Sequence, residues 1–195
     1  TNSDTLAPLS MQGKILASFF QSVTARTAGY NTIDIGKMHD GSLLLMVILM
    51  FIGASPASTG GGIKTSTAAV LVLATWALIR GRSDAECFSR RIPKEIIYKA
   101  FSVMFISFIL VIVVTMALTI TEKAEFIQIL FEVTSAFGTV GLTTGMTPSL
   151  SFAGKCWLIF TMFAGRVGPI TLALAIAMRA KKAQVQYPDG KIIIG

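Results

Sequence analysis

The stretch 53-GASPASTGGGIKTST-67 separates two strongly apolar runs, 42-SLLLMVILMFI-52 and 68-AAVLVLATWALI-79. It looks at first like a phosphate-binding loop, which needs G-x-x-x-x-G-K-[ST] directly after a strand. Here Lys64 follows Ile63 rather than a glycine, and the preceding run reads as a membrane helix. The nucleotide reading fails on both points. A continuous helix over roughly 42–79 would exceed one bilayer thickness, given ~1.5 Å of rise per residue and a hydrocarbon core of ~30 Å. A break inside the membrane resolves the excess. Pro56 removes a backbone donor and blocks its preceding turn, and Gly60, Gly61 and Gly62 disfavour helix. The first half, about 42–53, rises roughly 18 Å. The small residues Ala54–Gly62 are therefore expected near mid-membrane.

Composition supports a bilayer setting. The chain is 53% hydrophobic and 14% charged, against about 25% charged in a soluble domain. The formal charge of +7 is unevenly placed: of 17 Lys and Arg, six lie in 80–99 and four from Arg179 onward. That pattern orients a membrane protein rather than lining a nucleic-acid groove, and it puts 80–99 and the C-terminus on the cytoplasmic side. Cys87 and Cys156 suggest neither a metal site nor a disulfide framework. The run 100-AFSVMFISFILVIVVTMALTI-120 is uncharged and long enough to span. A further span is expected over about 154–180, containing Gly165, Arg166, Gly168 and Pro169. Two shorter stretches, about 14–26 and 125–137, fit re-entrant helices, which are tolerated at membrane depth when buried in protein or facing water.

The order repeats. At an offset of 112, Phe19 meets Phe131, Thr27 meets Thr139, Gly29 meets Gly141 and Thr32 meets Thr144. Further on, Met50 meets Met162, Phe51 meets Phe163, Gly53 meets Gly165 and Thr59 meets Thr171. The second repeat reads helix, re-entrant helix, loop, helix. The first lacks its leading helix, so the chain reads as the C-terminal part of a longer protein. After each re-entrant helix comes a Thr-x-Gly turn: 27-TAGYN-31 and 139-TVGLT-143. A potassium filter is a loop of backbone carbonyls replacing the hydration shell of an ion. Glycine adopts the unusual φ such a loop needs at least cost, threonine hydroxyls add oxygens, and the helix C-terminal ends aim negative charge at a cation. One Thr-x-Gly is an ordinary turn; two in register point to a filter.

The segments SVTARTAGYNTIDIG, FIGASPASTGGGIKTST, TSAFGTVGLTTG and FAGRVGPITLALA resemble the Ktr/Trk/HKT superfamily of cation transporters, and within it the KtrB-type membrane subunits of potassium uptake systems. The likeness covers essentially the whole chain. It implies an all-α integral membrane fold of helix–pore-helix–filter–helix repeats, potassium-channel-like and pseudo-fourfold in the full protein. Residues 1–99 would be the third repeat without its first helix: pore helix about 14–26, filter 27–31, broken span about 42–80, cytoplasmic loop 81–99. Residues 100–195 would be the fourth: span 100–121, pore helix about 125–137, filter 139–143, span about 154–180, tail. The implied filter comprises Thr27, Ala28, Gly29, Tyr30, Asn31, Thr139, Val140, Gly141, Leu142 and Thr143, with potassium at the carbonyls and sodium as the other candidate ion. Each turn has one glycine where potassium channels have two, Asn31 and Thr143 taking the second place. The implied gate is the intramembrane loop of Ala54, Ser55, Pro56, Ala57, Ser58, Thr59, Gly60, Gly61 and Gly62, with Lys64 and Arg166. The implied partners are the lipid bilayer of a bacterial cell membrane, a second copy in a homodimer, and a cytosolic nucleotide-binding ring (KtrA type) that carries the nucleotide itself.

Several side chains keep two readings. Lys64 either serves the loop or snorkels to an interface or a carbonyl. Arg166 lies deep in its span, where a charge is costly and faces a cavity, or caps carbonyls to hold helix packing. Asp34 draws cations to the outer mouth or caps a helix, and Glu132 is expected to pair with a nearby base. His39 is assigned no role, and the tail's PDGKIIIG is a candidate dimer contact. Nothing resembles a nucleophile–base pair, so an enzyme is not expected. The alternative function is a secondary transporter binding a small anion at the broken helix near Lys64.

Overall fold

A computed structural model describes residues 4–82 and 84–168. The expected second half of the last span, the tail with its cytoplasmic placement and PDGKIIIG, and the Thr59–Thr171 match lie outside the described residues. Among the described residues the chain forms six helices: α1 (Met11–Thr24), α2 (Asp40–Phe51), α3 (Thr65–Ile79), α4 (Lys94–Thr121), α5 (Phe126–Gly138) and α6 (Phe152–Val167). Short 3-10 turns at Ile35–Lys37 and Thr147–Ser149 follow the two Thr-x-Gly turns. A two-residue hairpin pairs β1 (Glu86–Cys87) with β2 (Arg90–Arg91) in the basic loop.

Local chemistry sets the helix ends. Ser10 and Ser151 cap α1 and α6, accepting from the N–H of Gly13 and Gly154 over 3.2 and 3.1 Å. Helix α4 has 28 residues, or ~42 Å. Among the described residues it alone is long and apolar enough to cross a membrane. It starts at Lys94, behind Pro93, so residues 94–99 belong to this helix and not to the loop expected over 81–99. Proline is tolerated at a helix start, where its missing N–H would be an orphan, and Lys94 and Glu95 are good helix formers. Helix α6 ends at Val167, and Gly168 leaves helical geometry at φ 91, ψ 131; the proline that follows disfavours the helical region for the residue before it.

The core is centred on α5. Nine of its residues are buried, from Ile129 to Gly138. One apolar cluster joins Val111, Val114, Leu118, Ile129, Val133, Phe137 and Leu158 from α4, α5 and α6. A second joins Leu43, Met46 and Met50 of α2 to Phe131 and to Val140 and Leu142 of the second turn. Helix α1 buries only Gln21 and Thr24.

The repeat holds with one change of register. Thr24 and Ser135 make equivalent bonds to the turns, and Ala25 and Ala136 are both buried. These pairs are 111 apart, whereas Thr27 and Thr139 are 112 apart. α5 therefore carries one more residue before its turn than α1 does. In the helix register of 111, Phe131 corresponds to Phe20 and not to Phe19.

Candidate ion-conduction site

Both Thr-x-Gly turns have positive φ at alternate positions. Thr27 and Gly29 stand at φ 76 and 76, Thr139 and Gly141 at 53 and 88. A β-branched residue there is a rare conformation, and its presence in both turns marks a shared construction. In an extended chain successive carbonyls point to opposite sides. Alternating the sign of φ removes that alternation and lets neighbouring backbone groups face one way.

Helix hydroxyls fix the far end of each turn. Thr24 Oγ1 donates to the Tyr30 carbonyl over 2.7 Å and accepts from the Tyr30 N–H over 2.9 Å. Ser135 Oγ donates to the Leu142 carbonyl over 2.6 Å. Among the described residues, nothing donates to the carbonyls of Thr27, Ala28 and Gly29 or of Thr139, Val140 and Gly141. Each turn thus offers three consecutive unengaged carbonyls, and within 27–31 and 139–143 only those of Tyr30 and Leu142 are bonded among the described residues. Thr143 directs its hydroxyl to Glu132 instead. The turns also touch, because a Cβ on Gly29 would collide with the Val140 carbonyl. Sequence reasoning missed Thr24 and Ser135. Their signal is a hydroxyl one helical turn before each Thr-x-Gly.

The loop between α2 and α3 lies against both turns. Its ends are closed by Ile63 N–H to the Phe51 carbonyl, 3.1 Å, and Thr65 N–H to the Ala54 carbonyl, 3.3 Å. Ser55-Pro56-Ala57-Ser58 forms a β-turn, with Ser58 N–H on the Ser55 carbonyl at 3.2 Å and Ala57 at φ 67. Proline at the second position and positive φ at the third are type II geometry. Beyond it, Gly61 N–H donates to Thr139 Oγ1 over 2.8 Å. A Cβ on Gly60 would stand 2.7 Å from the Thr27 methyl, and one on Gly61 2.7 Å from the Thr139 methyl. Only glycine lets the loop backbone come this close.

Two cations hold the loop. Lys64 Nζ donates to the carbonyls of Ser58 and Gly60, over 3.2 and 2.6 Å. The Arg166 guanidinium, 107 residues away, donates to the carbonyl of Thr59 between them. Gly165 lets α6 pack directly on the Phe137 carbonyl, which brings Arg166 within reach.

Other expectations resolve simply. Asp34 caps the first 3-10 turn, accepting from Gly36 N–H over 3.1 Å, and pairs with Lys37 at 3.5 Å. His39 occupies the N-cap position of α2 and makes no side-chain cap bond. Glu132 pairs with no base among the described residues; hydroxyl and amide donors surround it instead.

Apolar helices around two carbonyl-bearing turns, with a loop seated against both, make up the framework of a membrane transport protein. A family model described as TrkH, cation transport protein, matches residues 1–186. The chain belongs to that family, whose members are transporters and not enzymes. It is 46% identical over its whole length to Ktr system potassium uptake protein B of Bacillus subtilis (strain 168), covering 44% of that protein. It is 41% identical to the protein of the same name from Vibrio alginolyticus, over all of this chain and 42% of that one. It is also 40% identical to potassium/sodium uptake protein NtpJ of Enterococcus hirae, over all of this chain and 44% of that protein. The chain therefore spans less than half the length of these relatives.

Proposed function

We propose that this chain supplies two sides of a potassium-conducting filter, together with the loop that closes it, in a monovalent cation uptake system of a bacterial cell membrane. Residues 27–31 and 139–143 are the filter turns, α1 and α5 the pore helices, and 54–62 with Lys64 and Arg166 the gate. The three unengaged carbonyls in each turn replace water around a dehydrated cation, and the C-terminal end of α5 adds a favourable dipole. Potassium passes inward down its electrochemical gradient; sodium is the competing ion.

The observation that carries the reading is the seat of Gly60 and Gly61 on Thr27 and Thr139. A loop that merely connected two helices would not need contact with both turns. The anion-carrier alternative requires a free cation at the start of α3, and the Lys64 ammonium is already engaged by two carbonyls. We extend the proposal to a homodimer docked through its basic cytoplasmic face on a nucleotide-binding ring (KtrA type), consistent with relatives named as parts of a Ktr system.

Potassium and sodium flux into liposomes carrying the intact transporter, with its cytosolic partner and nucleotide, tests this reading. Potassium-preferring flux that becomes sodium-permeable in Gly141→Ser supports the filter. Absence of cation flux in both proteins, alongside saturable anion uptake, supports the carrier.

A further inference from the structure

Behind the second turn lies a carboxylate that the filter and the gate leave unused. Glu132 is 4% exposed. Four donors from the chain beyond Leu142 converge on it: Thr143 Oγ1, Thr144 N–H at 3.0 Å, Thr144 Oγ1 at 3.3 Å and Thr147 Oγ1 at 2.8 Å. The Thr147 and Thr143 hydroxyl oxygens also lie 2.9 Å apart, so their two protons are shared among three contacts. The Thr144 carbonyl abuts Gly36, where a Cβ would stand 2.7 Å away, so this segment touches the chain beyond the first turn as well. In the register that aligns α1 with α5, the counterpart of Glu132 is Gln21. It is 5% exposed, and both polar atoms of its amide lack a partner among the described residues. Among the described residues the brace therefore belongs to the second repeat and not to the first.

We propose that Glu132 is a positioning residue that fixes the outer end of the second turn and thereby sets cation discrimination there. The proposal rests on the filter reading of 139–143. Gly141 stands at φ 88 with nothing within 4 Å of its missing Cβ, so packing at that point does not hold its backbone. Gly29, by contrast, is wedged against the Val140 carbonyl. Any movement of Thr143–Thr147 off Glu132 would leave buried carboxyl oxygens without partners. The carboxylate thus does for the second turn what direct packing does for the first. Thr143, standing where a second glycine would be, is held through its side chain.

The test uses the intact transporter in proteoliposomes, with potassium and sodium uptake measured for the unaltered protein, Glu132→Gln, Thr147→Val and Thr147→Ser. Glu132→Gln and Thr147→Val are expected to lower the potassium-to-sodium uptake ratio by about fivefold, the size of one ordinary hydrogen bond. The loss should appear in the KM for potassium, with little change in maximal rate, and Thr147→Ser should restore the ratio. If Glu132→Gln does not fold, the Thr147 pair decides alone. An unchanged ratio in Thr147→Val, or a fall in maximal rate without a change in ratio, overturns the brace and leaves the filter reading standing. Failure of the unaltered protein to take up either cation removes the filter reading instead.

Discussion

Gly61 donates its N–H to the Thr139 hydroxyl over 2.8 Å, so the loop of the broken helix is bonded to the turn that follows α5. In the proposed pore that hydroxyl also faces the inner end of the filter, and loop and cation compete for one oxygen. Thr139→Val removes the acceptor while Thr139→Ser keeps it. One hydrogen bond of about 1 kcal/mol corresponds to roughly a fivefold shift toward the open loop. Resting potassium leak should rise by that factor in the valine variant and stay low in the serine variant. Equal leak in both would separate the loop from Thr139.

The clamp makes a second prediction. Lys64 and Arg166 together hold three successive carbonyls, Ser58, Thr59 and Gly60. Lys64→Gln and Arg166→Gln each remove a charged donor, and each should raise resting flux about fivefold. Because both act on one short segment, the double variant should fall short of the product of the two effects. Resting flux that drops in either variant would mean the cation serves conduction and not closure.

Gly29 and Gly141 look alike in sequence and differ in space. A methyl on Gly29 would collide with the Val140 carbonyl, whereas one on Gly141 meets nothing within 4 Å. Gly141→Ala should cost only the backbone strain of left-handed geometry, about 1–2 kcal/mol. Gly29→Ala should cost more, because it also drives the two turns apart. Thermal unfolding in detergent should rank them in that order. Equal melting temperatures would remove the contact between the turns.

The strongest legible signals were repetition and interruption. Two Thr-x-Gly motifs and a run of small residues between apolar halves need no tertiary knowledge. What stayed hidden depends on distance in the chain or on dihedral angle. Arg166 reaches Thr59 across 107 residues, and no local pattern encodes that pairing. The one-residue change of register between helix and turn was masked by a chance phenylalanine match. Glu132 looked like half of an ion pair because buried acids usually have one; its threonine donors follow it by 11 to 15 residues, beyond a helical period. Gly168-Pro169, in contrast, is a local helix-end signal, and α6 stops just before it at Val167.

Ala57 occupies the third position of the type II turn at φ 67, where glycine fits best. Ala57→Val places a β-branched residue at positive φ, a genuine outlier. It should loosen the seated loop and raise resting flux. Ala57→Gly removes the steric cost and should leave the pore closed. Matching resting flux in both variants would show that this turn does not set the loop's position.

Glu122, just past the end of α4, accepts from the N–H of Ser151 over 3.1 Å and from its hydroxyl. Ser151 also caps α6, so this carboxylate joins the end of one helix to the start of another. The Ser151 hydroxyl, then its amide, and more weakly Thr121 and Lys155, hold the Glu122 pKa below the ordinary glutamate range. A pKa lowered in the folded state means the unfolded state binds the proton more readily. The contribution is complete above the unfolded value and is lost as pH falls toward the folded one. Thermal stability in detergent should therefore fall below about pH 4.5, and Glu122→Gln should flatten that part of the profile. A Cβ at Gly154 would push the Glu122 carboxylate aside, so Gly154→Ala should weaken the same link. An unchanged acid profile in Glu122→Gln would assign the acid sensitivity to another carboxylate and leave Ser151 as a cap alone.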